Sequence, residues 1–257
     1  MTEGTTIRDG RWRGRHAGKD ALRQRVWRTL DEQGYAVGSP YSAIPDFVGA
    51  DQAALQLAAL PFWASAQVVK CNPDRGQAWV RLQALKEGKR VYTPVPELTA
   101  EFPFIHLDPA ALTAAGIPFE DVMYSEGALA HGERVEFEQM APMDICAVGC
   151  VAVSPSGGRT GKGAGFADLE MGIFRELGLL RPGVPVVTTV HEAQLVEDAE
   201  IVMQPHDTPL DWIITPERCI ETRSPYPRPG QLDWDAVQPD QFAAIPFLSA
   251  LRARLSP

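Results

Sequence analysis

The segment AQVVKCNPDRGQAWVRLQALKEGKRVYTPV, Ala66 to Val95, runs through two hydrophobic periods. AQVVKC is a short apolar run rich in β-branched residues and predicts a strand. GQAWVRLQALKEG then spaces its apolar residues as a helix does and closes on Gly88, a residue suited to the left-handed conformation just past a helix end. KRVYTPV reads as a strand again. Strand, helix and strand in this order indicate two parallel strands joined by a crossover helix, which makes the fold class α/β.

The same grammar extends in both directions. Upstream, DQAALQLAAL predicts a helix stopped by Pro61, SPYSAIPDFVGA a Pro-containing loop, and KDALRQRVWRTLDEQG an amphipathic helix with Leu22, Val26, Trp27 and Leu30 on one face and Gly34 at its end. Residues 1–18 are polar and rich in Arg and Gly, so the expectation is a flexible N-terminal arm followed by one domain over 19–257. Downstream, EFPFIHL predicts a strand within the less periodic stretch 97–143, which reads otherwise as loop and as a candidate substrate-facing insertion. DICAVGCVAV, Asp144 to Val153, is a continuous apolar run of the kind a fully covered central strand shows. ADLEMGIFRELGLL predicts a helix, VPVVTTV and DWIIT the last two strands, and the Pro-rich tail SPYPRPGQLDWD leads to a final helix around Gln241 to Leu255. The expected architecture is an open, mainly parallel sheet with helices on both faces.

Composition narrows the function classes. The chain has 257 residues, 45% hydrophobic and 22% charged, which is ordinary for a globular enzyme. Its formal net charge of −9 repels polyanions, which argues against nucleic acid as a principal partner. Cys71, Cys146, Cys150 and Cys219 form no CxxC pair and read as reduced core residues, not as a metal site. The first twenty or so residues hold no apolar stretch, so neither a secretory signal nor a membrane anchor is expected, and the expected location is cytoplasmic. The tryptophans Trp12, Trp27, Trp63, Trp79, Trp212 and Trp234 are scattered and read as packing residues.

The candidate chemistry centres on GGRTGKGAGFADLE, Gly157 to Glu170, between the apolar run and a helix. Glycines in such a turn admit positive φ and close backbone approach, and the next helix start offers unpaired N–H groups with the positive end of the dipole behind them. Arg159 and Lys162 would add positive charge. The spacing is neither GxxxxGK[ST] nor GxGxxG, so a phosphate cradle and a plain tight turn both remain open at this point. Asp168 is placed to hold Mg²⁺ against phosphates, whereas Glu170 reads as a simple partner of the helix dipole. Lys19 and Arg23 are spaced i,i+4 on one helix face, solvated or ligand-facing. Asn72 and Asp74 at a strand's C-terminal end and His191 at another are candidate substrate contacts, and His206 reads as a loop-ordering residue.

These residues together resemble the 5-formyltetrahydrofolate cyclo-ligase family, also called methenyltetrahydrofolate synthetase. The resemblance spans about Lys19 to Thr222 and is carried by the Lys19–Arg23 pair, RTGKGAGFAD, Gln194, HDTPLDWIITPE and GKRVYTP. IPDFVGADQAA, VVKCNPD, VAVSPSGGRTGKGAGFADLE and VVTTVHEAQLV are similar to its divergent cyclo-ligase-like, or methenyltetrahydrofolate synthetase domain-containing, branch. The resemblance implies a three-layer, Rossmann-like α/β fold and an ATP- and Mg²⁺-dependent ring closure. In that reaction the formyl oxygen of 5-formyltetrahydrofolate is phosphorylated, N10 attacks, and phosphate leaves to give 5,10-methenyltetrahydrofolate. It also implies that Lys19, Arg23, Arg159, Gly161, Lys162, Gly163, Ala164, Gly165 and Phe166 bind the nucleotide, that Lys19, Arg159 and Lys162 act in catalysis, and that Asp168 places the metal. The chain departs from the usual family pattern at Val153 and Ser154, where a Phe-Asp pair is typical, and at Ala167 and Leu169, where an aromatic and a basic residue are typical. Two further readings therefore stand beside the first: the same cyclisation on another formamide- or carbonyl-bearing metabolite, and a nucleotide- or folate-binding protein without turnover.

Overall fold

A computed structural model describes residues 16–98 and 102–255. The predicted crossover is present: β1 (Val68–Cys71), α4 (Ala78–Lys86) and β2 (Arg90–Pro94), with β1 and β2 parallel. Before them come α1 (Ala17–Glu32), α2 (Ala50–Ala58) and α3 (Pro61–Ser65). The remaining elements are β3 (Phe104–Leu107), α5 (Pro109–Ala114), α6 (Phe119–Val122), α7 (Ser125–His131), β4 (Glu133–Val135), β5 (Ile145–Ala147), β6 (Ala152–Val153), β7 (Arg159–Thr160), α8 (Phe166–Glu176), β8 (Val186–Thr189), β9 (Trp212–Ile214), β10 (Cys219–Glu221), α9 (Pro239–Ala244) and α10 (Leu248–Leu255).

The main sheet runs β10-β9-β8-β5-β1-β2-β3-β4. Its centre, from β9 to β2, is parallel, and antiparallel strands close both edges. The expected mainly parallel α/β sheet is thus observed, with β4 and β10 as short edge strands that the sequence reading omits. Helices α2 and α4 pack on one face, and α8 covers the other, where Phe174 meets Phe104 and Phe137 and the latter meets Phe247 near α10. From β1 the chain crosses to β2 on one side, and from β5 it crosses through α8 to β8 on the other. That divergence opens a crevice at the carboxyl ends of β1 and β5, the place where open α/β sheets bind ligands.

Several expectations need correction. DICAVGCVAV is not one strand: only Ile145–Ala147 lies in the sheet, and the chain then bends away into the antiparallel β6–β7 ribbon. At Gly149 an added Cβ would meet Gln77 Oε1 and Ile44 at 2.9 Å, so a side chain does not fit at the bend. Beyond it, the Gln194 side-chain amide donates to the carbonyls of Cys150 and Val151 and replaces the ladder bonds they would have made. The glycine loop consequently follows β7, not the central strand.

Ala17 and Gly18, expected in the N-terminal arm over 1–18, belong to α1, which starts at Ala17 with His16 Nδ1 accepting from Lys19 N; the rest of the expected arm, residues 1–15 with Trp12, lies outside the described residues. The final helix is divided, because Ile245 precedes Pro246 and is extended. The stretch 97–143, expected mostly as loop, builds one edge of the sheet and its covering helices, and none of its described residues lines the cavity considered below.

The other packing expectations are met except at Cys219, which is only half-buried, and Trp79, which is 38% exposed. Leu22, Val26, Trp27 and Leu30 are buried, against Ile44, Val151, Ala152 and Ile201. Cys71, Cys146 and Cys150 are buried free thiols, and burial holds Cys146 at a pKa of about 12. No described helix is long and apolar enough to cross a membrane.

Candidate active site

A cavity of about 520 Å³ occupies the crevice. Asn72 and Asp74 enter it from the turn after β1, Gly149 from beyond β5, Lys19 and Arg23 from α1, and Gly161 to Asp168 from the glycine loop and the first turn of α8. Gly163 and Gly165 have φ of 113° and 75°, conformations that residues with a Cβ rarely adopt. Gly165 is the N-cap of α8, and no side chain caps that helix. The loop thus presents a backbone cradle at the positive end of an uncapped helix.

Four cations from separated segments meet there, each beside a carboxylate. Lys19 Nζ lies 2.5 Å from Asp207 Oδ2. Arg23 donates through Nη1 to Asp20 and through Nε to the Gly161 carbonyl, both at 2.6 Å, which fixes the glycine loop to α1. Arg159 is buried, donates through Nε to Thr208 O at 2.8 Å, and bonds through Nη2 to Asp168. Asp168 Oδ1 also accepts from Thr208 N at 2.8 Å. Lys162 Nζ lies 3.0 Å from Asp74 Oδ1.

Burial alone would lower the pKa of Arg159, yet Asp168, Cys150 and Asp207 hold it above its ordinary value. For Arg23 burial prevails over Asp20 and the pKa falls. Among the described residues no cluster of three or more His, Cys, Asp or Glu can hold a metal. A magnesium site here would therefore rest on Asp168 together with ligand oxygens, as such sites commonly do.

The expected residues divide accordingly. Lys19, Arg23, Asn72, Asp74, Arg159, Asp168 and the stretch from Gly161 to Phe166 all line the cavity. His191 does not: it caps a short turn by accepting from Ala193 N and stacks on Tyr35 at 4.2 Å. Glu170 is no surface dipole partner. It is 2% exposed and its Oε2 lies 2.5 Å from Nζ of Lys70, itself completely buried. The signal for it was a lysine within the apolar strand VVKC, which demands a buried counter-charge.

His206 lines the cavity mouth, and the ordering of its loop falls to Asp207, which accepts from Gln204 N. Arg81, buried in α4, donates to the carbonyls of Asn72, Pro73 and Asp74 and so shapes the turn after β1. Arg175 reaches Thr208 Oγ1 at 2.6 Å on the cavity wall. The C-terminal tail supplies a further wall from Pro229 to Gln241, secured by Gln241 Nε2 to Ala164 O at 2.9 Å and by Leu232 N to Glu176 Oε1 at 3.0 Å.

The sequence profile of the 5-formyltetrahydrofolate cyclo-ligase family matches residues 15–216. The methenyltetrahydrofolate synthase domain-containing protein of Mus musculus is 34% identical over 243 residues, covering 92% of this chain and 63% of that protein. The Homo sapiens protein of the same name is 32% identical over 243 residues, with 92% and 62% covered. The chain thus spans under two thirds of the length of these curated relatives. A 5-formyltetrahydrofolate cyclo-ligase from Mycolicibacterium smegmatis is 34% identical over 83 residues, 32% of this chain and 39% of that protein. Among solved structures, Aquifex aeolicus 5,10-methenyltetrahydrofolate synthetase shares the fold with a TM-score of 0.51 at 22% identity, over 80% of this chain and 93% of that one.

Proposed function

The chain belongs to the 5-formyltetrahydrofolate cyclo-ligase family, and on that premise we propose that it is a Mg-ATP-dependent cyclo-ligase, with 5-formyltetrahydrofolate as default substrate and 5,10-methenyltetrahydrofolate as product. The observation that carries the reading is the convergence of Lys19, Arg23, Arg159 and Lys162 with an uncapped helix start on one cavity.

The residues fit a nucleotide triphosphate and its metal. Gly161 to Phe166, with Lys19, Arg23, Arg159 and Lys162, would hold the phosphates, and Asp168 the magnesium ion. ATP supplies, when bound, the phosphoryl group that makes a formyl oxygen able to leave. What the chain contributes is positioning and neutralisation of charge. Lys19 and Lys162 are placed by Asp207 and Asp74 at the cavity wall, from which their ammonium groups would reach phosphate oxygens without crossing the site. Arg159, locked by Thr208 and Asp168, is a fixed cation whose geometry needs no rearrangement. The walls from Asn72 and Asp74 to the tail would then hold the nucleophilic amine against the formyl carbon.

A second reading, the same chemistry on a different formamide-bearing metabolite, is favoured by Ala167, which lines the cavity where an aromatic is typical of the family. A cytoplasmic location accords with either. Incubation with Mg-ATP and 5-formyltetrahydrofolate, following methenyltetrahydrofolate absorbance and ADP release together, tests the first reading. Product with stoichiometric ADP supports it. ATP binding without product on this substrate, but with ADP release on another formamide, supports the second.

A further inference from the structure

Side chains alternate along β1, so Val69 and Cys71 point toward α4 while Lys70 points toward α8. Its ammonium, wholly buried, lies 2.5 Å from Glu170 Oε2 and 2.5 Å from Asn72 Oδ1. An ammonium only donates, so the Asn72 amide must turn its oxygen to Lys70 and its NH₂ elsewhere. That NH₂ makes no hydrogen bond among the described residues. Glu170 Oε2 is taken up by the Lys70 ion pair, and Oε1 accepts no hydrogen bond among the described residues, although the residue is 2% exposed. A buried carboxylate in that condition is costly unless a donor completes it. Both Asn72 and Glu170 line the cavity, Glu170 one half-turn along α8 from Asp168.

We propose that Glu170 and Asn72 form a recognition subsite for the lactam edge of a heterocyclic substrate, Glu170 accepting from the ring N–H and the Asn72 amide donating to the adjacent carbonyl. Lys70 makes the arrangement specific: it cancels the Glu170 charge, so the complementary ligand edge is neutral, and it fixes the Asn72 amide so that a donor, not an acceptor, faces the ligand carbonyl. A lactam holds N–H and C=O side by side in the cis arrangement that two side chains anchored on one ammonium can both reach. The inference rests on the proposed use of this cavity as a substrate site, and it names the feature by which the substrate is chosen.

Fluorescence titration with two pteridines tests it without turnover: 6-methylpterin, which carries the lactam edge, and 2,4-diamino-6-methylpteridine, which replaces the carbonyl by an amino donor. The wild-type protein is expected to prefer the oxo compound by at least about tenfold, since the diamino compound offers neither the ring N–H nor the carbonyl, and Asn72→Asp to lose most of that preference, since its carboxylate no longer donates to the carbonyl. The charge-balanced double variant Lys70→Met with Glu170→Met is expected to bring the preference near one. Equal affinities, binding of neither pteridine, or an unchanged ratio in Asn72→Asp would overturn the proposal. The wild-type ratio decides even if a variant fails to fold. Mg-ATP titrations of the same samples read the nucleotide site separately: intact ATP binding with no pteridine preference refutes the subsite alone, and pteridine preference without ATP binding refutes the nucleotide reading alone.

Discussion

Lys162 Nζ lies 3.0 Å from Asp74 Oδ1, joining the glycine loop to the turn after β1 across 88 residues of sequence. The Lys162 side chain is 30% exposed, so the contact adds little to stability, well under about 1 kcal/mol. Lys162→Ala should therefore melt close to the wild type while weakening Mg-ATP at least tenfold, as calorimetric titration and thermal unfolding of the same preparation would show. A large fall in melting temperature with ATP affinity intact would mean that Lys162 is structural.

Arg159 behaves differently because it is buried. Replacing it by Met removes the partner of Asp168 and the donor to Thr208 O together, and loss of one member of a buried pair costs roughly 3–5 kcal/mol. Urea unfolding should show a loss near that range. Arg159→Lys should recover only part of it, since an ammonium does not reproduce the guanidinium's separate bonds from Nε and Nη2.

The loop glycines should separate by backbone conformation. Nothing lies within 4 Å of a Cβ added at Gly161, and its φ is not positive, so Gly161→Ala should leave stability nearly unchanged. Gly163 and Gly165 sit at φ of 113° and 75°, and alanine at either should cost about 1–2 kcal/mol. Chemical denaturation of the three variants checks the order.

Acid should weaken the link between α1 and the loop holding Asp207. Burial alone would raise the Asp207 pKa, but Lys19, the Gln204 N–H and Arg159 bring it below the usual value. A depressed carboxylate pKa gives stability that is present above the unfolded value of about 3.9 and is lost as pH falls through the lower folded value. The stability gap between wild type and Lys19→Met should be constant above about pH 5 and shrink below about pH 4 in urea unfolding curves. A gap independent of pH would show that the pair is not what couples them.

The tail wall has its own test. A Cβ added at Gly172 would lie 2.6 Å from Leu232 Cδ1, which can turn away, and 3.4 Å from Leu232 Cα, which leaves no room for the two further methyls of valine, so Gly172→Val should lift the segment around Leu232 from α8. Faster proteolysis in the tail, with a higher KM for the second substrate and unchanged ATP affinity, is the expected pattern.

The parallel centre of the sheet was legible because its strands are mostly apolar and β-branched and the α4 and α8 crossovers carry helical periodicity. The place of the glycine loop on the cavity was legible for a related reason: glycines, cations and Asp168 crowd into one short stretch. The edge strands β4 and β10, three residues each, are too short to show a period. The bend at Gly149 was hidden because an apolar run looks alike in a strand and in a buried turn. Glu170 was misread because acids near a helix start usually face water, whereas it sits one turn into α8, and its partner Lys70 lies a hundred residues away. The tail wall, beyond residue 216 where the family match ends, carries no motif and is placed by packing and by its bonds to Ala164 and Glu176.

The central claim is that the cations and the glycine loop form a nucleotide site. Isothermal titration of the wild-type chain with Mg-ATP tests it most directly. One saturable site per chain, weakened at least tenfold in Lys162→Ala, is the predicted result; no saturable binding to the folded wild-type protein would contradict it.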